Sequence, residues 1–131
     1  MTVHLARYRK AASEANPVAA EAALFETIAA SLAQTERLRP SSPRRVRALA
    51  DARRLWLHTA TLSADPNNRL PQALRAQIIS VAMAVLREID TDEPDAAWVA
   101  DITRTVAEGL RDASRRNATG VAEPLAMQSG V

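Results

Sequence analysis

Apolar positions recur every three or four residues through most of this chain, and prolines and polar clusters cut the pattern into helix-length pieces. Val18, Ala22, Phe25, Ile28, Ala29 and Leu32 share one face of a helix that starts at Asn16-Pro17, with Asn as cap and Pro in the first turn, and runs to Arg37 or Leu38. Pro40-Ser-Ser-Pro43 stops it and starts the next, from Pro43 to Ser63, which carries Val46, Leu49, Ala50, Trp56, Leu57 and Ala60. From Pro71 to Asp90 the pattern is most apolar: Leu74, Ile78, Val81, Ala82, Val85 and Ile89 form one face, widened by Ile79, Met83 and Leu86. A face that wide is either central to a bundle or partly given to a partner. A last helix, Pro94 to Ala113, presents Trp98, Ile102, Val106 and Leu110 inward, with Gly109 marking a close approach by a neighbouring helix. A short helix over His4–Ala15, with Leu5 and Tyr8 one turn apart, precedes these.

Composition agrees with an all-α reading. Alanine fills 28 of 131 positions, only three glycines occur, and β-branched residues are few. The length suits a single domain, set here at residues 1–116, followed by a disordered tail over 117–131, where Ala-Thr-Gly, Glu-Pro and Gln-Ser-Gly break any periodicity. The expected fold is therefore an all-α, single-domain bundle of four to five helices. The absence of cysteine excludes disulfides and thiolate metal sites. Charged residues interrupt the first thirty positions, and no apolar run reaches the roughly 18 residues of a membrane span, so a soluble, cytoplasmic protein is expected.

Little in the chain suggests catalysis. His4 and His58 stand 54 residues apart without metal-ligand spacing, and no catalytic constellation or cofactor motif is visible, so no enzyme activity, cofactor or small-molecule substrate is expected. The acidic stretch Asp90-Thr-Asp-Glu-Pro-Asp departs from a calcium loop, with Pro94 at a ligand position and Asp95 where the sharp turn needs glycine. Carboxylates favouring a helix start explain it better. Of the 17 basic residues 16 are arginine, yet the net charge is only +2. Arg44, Arg45, Arg47, Arg53 and Arg54 form the densest basic run. Arg44, Arg47 and Arg54 read either as a solvated, salt-bridged face around Asp51 or as a contact to RNA phosphates or an acidic partner. No aromatic platform stands beside these arginines, which weighs against RNA. Trp56 and Trp98 read first as core anchors.

The stretch Arg53–Arg75 is the pivot of the pattern. An apolar helix end (Leu55, Trp56, Leu57, Leu62) meets Ser-Ala-Asp-Pro-Asn-Asn, in which Pro66 restricts Asp65 and the two asparagines suit a turn; Leu70-Pro71 then restarts the chain. Trp56, Leu62, Asp65-Pro66-x-Asn68, Leu70-Pro71, Leu74-Arg75 and Ile78-Ile79-Ser80 resemble the central motif of the FlaF family, flagellar biosynthesis regulators of alphaproteobacteria. The resemblance reaches outward to Tyr8, Pro17, Ile102-x-Arg104 and Glu108-Gly109-Leu110, over roughly residues 5–113. Two positions depart from the pattern: Thr61 stands where the family often has an acid, and Met83 where it often has an aromatic.

The resemblance implies a protein that promotes flagellin synthesis and filament assembly after transcription, opposing the translational repressor known as FlbT. The favoured mechanism is binding of newly made flagellin in the manner of an export chaperone. The alternative is control of flagellin mRNA translation, through RNA contact or through FlbT. A helical groove along the third and fourth helices around the corner suits an amphipathic, unfolded segment, and the residues expected to contact it are Trp56, Leu62, Asn68, Leu70, Arg75, Ile79 and Met83.

Overall fold

The described residues form four helices and contain no strand. The computed structural model describes residues 17–68 and 70–119. The helices are α1 (Pro17–Ala33), α2 (Pro43–Ala64), α3 (Gln72–Ile89) and α4 (Ala96–Thr119). The all-α class expected from composition and periodicity is thus what the chain adopts. The helix expected over residues 4–15, the Asn16 cap and the tail beyond Thr119 lie outside the described residues.

The chain divides into two compact units, Met1–Glu26 with Arg104–Val131, and Thr27–Thr103, so that both boundaries fall inside helices, one in α1 and one in α4. In the first unit Ala20, Ala22, Phe25, Ala107 and Ser114 are buried, and Arg111 pairs with Glu26 across the exposed side. In the second unit the core comprises Ala29 and Leu32 from α1, Ala48, Leu49, Ala52, Leu55 and Trp56 from α2, Ala82, Val85 and Ile89 from α3, and Ala96, Val99 and Ala100 from α4. Helices α2 and α3 pack against each other as a hairpin.

Element ends differ from the sequence reading for local reasons. Helix α1 stops at Ala33 rather than Arg37, because the buried Thr35 hydroxyl donates to the Leu32 carbonyl at 2.8 Å while the Thr35 and Leu38 amides take i−3 partners. A threonine that offers its side chain to the backbone competes with helical continuation. The guanidinium of Arg45 then caps this end, donating to the Leu38 carbonyl at 2.9 Å and to that of Pro94 at 3.1 Å. Pro43 does occupy the first turn of α2, although the Ser42 hydroxyl makes no cap bond. Pro71 stands at the N-cap of α3 rather than inside its first turn. Helix α4 continues past Ala113 to Thr119.

The faces also need correction. Val46 and Leu57, apolar positions of the sequence pattern, are exposed; the buried face of α2 is Ala48, Leu49, Ala52, Leu55, Trp56 and Ser63. On α4 the buried positions are Ala96, Val99, Ala100, Thr103, Ala107 and Ser114, while Ile102, Val106 and Leu110 are half-buried and Trp98 is 37% exposed. Bulk sits at the edge of this face and small residues at its centre. Gly109, expected to mark a close helix approach, is exposed, and a Cβ there would meet nothing within 4 Å.

A helical corner with uncovered apolar side chains as the candidate site

The corner between α2 and α3 is held by side chains rather than by unusual backbone, since no described residue has a positive φ. The Asp65 carboxylate accepts the Asn67 amide at 2.9 Å, and the Asn68 side-chain oxygen accepts the Leu70 amide at 2.8 Å, two Asx turns in succession. The Asn68 side-chain amide donates to the Leu62 carbonyl at 3.0 Å, which also accepts the Asp65 amide at 3.2 Å, at the end of α2. Arg75, one turn into α3, reaches back to the Asp65 carbonyl at 3.2 Å and to that of Ser63 at 3.5 Å. Three polar side chains thus fix where α2 stops and how α3 leaves. The Thr61 hydroxyl donates to the Leu57 carbonyl, one helical turn back.

What this staple presents is apolar. Between Trp56 and Ala82 the single buried residue among those described is Ser63. In that interval Leu62 and Leu74 are 42% and 38% exposed, and Leu70, Ile78, Ile79 and Val81 are half-buried. Leu74 and Ile78 continue the stripe that Val85 and Ile89 bury further along α3, at i, i+4, i+11 and i+15; the helix keeps its core-facing pattern where the core has ended. Ile79 and Met83, four apart, form a flanking stripe on which Met83 is 51% exposed. Exposed leucines taken singly are ordinary, whereas a run of them flanking one rigid corner invites a partner.

The expected contact residues therefore separate by role. Leu62, Leu70, Ile79 and Met83 offer apolar surface. Asn68 and Arg75 spend their polar groups on the corner itself, so they shape the site from within. Trp56 is fully buried, which corrects its place among partner contacts: its indole N–H donates to the Thr103 hydroxyl at 3.1 Å, and that hydroxyl donates to the Val99 carbonyl at 2.6 Å. Every polar atom of the Trp56 side chain is satisfied inside the core, as its reading as an anchor requires. Leu74, also exposed, was not among the expected contacts, although its i+4 relation to Ile78 was legible.

The basic run is a second, separate surface. Arg44, Arg47, Arg53 and Arg54 are exposed along α2. Arg54 pairs with Asp51, three residues before it, and Arg53 pairs with Asp90 at 3.0 Å. Among the described residues Arg44 and Arg47 have no ion pair, so of the two partners that the spacing offers Asp51 it takes Arg54 and not Arg47. In the acidic linker, Asp95 accepts the Trp98 amide at 3.0 Å, the geometry of an N-cap, and its own amide donates to Glu88 at 2.8 Å. These carboxylates serve a helix start and an ion pair, and no group of described residues could hold a metal ion. No helix among the described residues is long and apolar enough to cross a membrane.

Fold and surface together define an all-α protein built around a helical hairpin whose corner leaves apolar side chains uncovered. A family model described as "Flagellar protein FlaF" matches residues 5–110, well over half of the chain. The chain belongs to the FlaF family of flagellar proteins. No curated protein and no solved structure matches it.

Proposed function

We propose that the chain binds newly made flagellin, holding an amphipathic segment of it against the α2–α3 corner in the manner of an export chaperone, and so promotes flagellin production and filament assembly after transcription. The observation that carries this reading is the interval from Leu57 to Val81, where a stapled corner presents Leu62, Leu70, Leu74, Ile78 and Ile79 with no core to bury them. Membership of a flagellar family supplies the context. An unfolded chain with helix-forming ends can lay apolar residues at i, i+3, i+4 and i+7 into such a surface, and its ordering cost is lowered because the corner is already rigid.

Calorimetric titration of the protein with monomeric flagellin from the same organism, at low and high salt, tests this. Binding that is micromolar or tighter, survives salt and shows a negative heat-capacity change is the expected result. Leu62→Ser with Leu74→Ser should weaken it at least tenfold. Absence of any heat under both conditions, or binding indifferent to both leucines, would overturn the reading.

A further inference from the structure

The flagellin reading leaves the outer face of α2 unused, and that face mixes charge with apolar surface. Val46, Ala50, Arg53 and Leu57 follow one another at i, i+4, i+7 and i+11, so they share one side of the helix, away from Ala52 and Trp56 on the buried side. Val46 is 54% and Leu57 48% exposed, and Ala50 is half-buried between them. Arg47 and Arg54 flank this stripe, each three or four residues from Ala50. Over its length α2 carries five arginines against one aspartate, while the whole chain is only +2. The positive charge of the protein is concentrated on this helix, and two of its arginines, Arg44 and Arg47, have no ion pair among the described residues.

We propose that this face, Val46–Ala50–Leu57 bordered by Arg47 and Arg54, is a second docking surface, whose occupant is an acidic amphipathic helix of a protein partner. Charge complementarity selects the occupant. A second copy of this chain would bring the same arginines face to face, and like charges across an interface oppose it. RNA would find phosphate contacts but, with Trp56 buried, only the exposed His58 imidazole one turn after Arg54 to stack a base, while Val46 and Leu57 would stay against solvent. A helix with leucines at i, i+4 and i+11 and glutamates along one edge meets both components at once: its leucines lie on Val46, Ala50 and Leu57, and its carboxylates reach the Arg47 and Arg54 guanidinium forks beside them.

The full chain is titrated with three probes: a synthetic helical peptide with leucines at that spacing and glutamates elsewhere, the same peptide with lysines for glutamates, and an oligouridine RNA. The glutamate peptide is expected to bind, several-fold more weakly at 0.5 M than at 0.05 M salt, and the lysine peptide at least tenfold more weakly still. Val46→Ser with Leu57→Ser, and separately Arg47→Ala with Arg54→Ala, should each cost the glutamate peptide at least tenfold. Arg87→Glu, on the exposed side of the last turn of α3, serves as a charge control that retains binding. Circular dichroism melting verifies that each variant remains folded. Absence of glutamate-peptide binding, or binding that ignores Val46 and Leu57, overturns the proposal. So does tight oligouridine binding that depends on the arginines alone, which would make the face an RNA contact. A dimer in sedimentation equilibrium that Val46→Ser with Leu57→Ser dissociates would equally overturn it.

Discussion

The two ends of the α2–α3 hairpin are built from similar residues and put to opposite use. At the Trp56 end the largest side chains are enclosed, Trp56, Leu55 and Val85 among them, and the indole N–H, the Thr103 hydroxyl and the Val99 carbonyl form a closed chain of donors and acceptors. At the corner end, Asp65, Asn68 and Arg75 hold the backbone by hydrogen bonds, although the buried Arg75 Nε has no partner, while Leu62 and Leu74 are exposed and Leu70, Ile78 and Ile79 only half-buried. Hydrogen bonding therefore fixes shape at both ends, but apolar burial stabilises only one. A protein that orders an apolar surface by polar staples can keep it available without letting it collapse.

That contrast can be broken or sharpened by substitution. The largest effect is expected at Trp56→Ala, which should cost about 3–5 kcal/mol in denaturant unfolding, the range for removing a large enclosed aromatic. A cost below about 1 kcal/mol would mean the two ends do not differ. Thr103→Val keeps the shape but leaves the indole N–H without an acceptor, and should cost about 1–3 kcal/mol. At the corner, Asn68→Ala removes one bond to the end of α2 and one to Leu70, and should cost about 1 kcal/mol, with faster amide exchange at Leu70 as its local signature. Smallest of all, Leu62→Ser should change stability by less than about 0.5 kcal/mol, as exposed substitutions do, while weakening flagellin binding. Should Leu62→Ser destabilise as much as Thr103→Val, the corner leucines would belong to the core.

Much of this was readable in the sequence. Proline and polar clusters at residues 40–43 and 63–71 gave α2 and α3 to within a residue or two, because Pro and Asx residues act on the backbone they sit in. The face of α1 was legible too, since Ala22, Phe25, Ala29 and Leu32 combine periodicity with bulk. The α4 face was not. Reading inward positions from large side chains selected Trp98, Ile102 and Val106, whereas Ala96, Ala100, Thr103 and Ala107 are what the structure encloses. In a chain so rich in alanine, close packing falls to small residues, and their spacing at i, i+4, i+7 and i+11 was the available signal. Nor could the sequence reveal that Asn68 and Arg75 bond within the corner, because a polar residue in a motif looks alike whether it faces a partner or its own backbone.

The separation of the two tryptophans also supplies a pair of optical probes. Trp56 is enclosed with its N–H bonded to Thr103, so its emission should be blue-shifted and inaccessible to iodide. Trp98, more than a third exposed in the first turn of α4, should emit nearer the solvent limit and be quenched readily. A Trp98→Phe variant would leave one emitter inside the core, so that its wavelength reports the integrity of the hairpin base alone while a titrant acts on the corner or on the arginine-rimmed face.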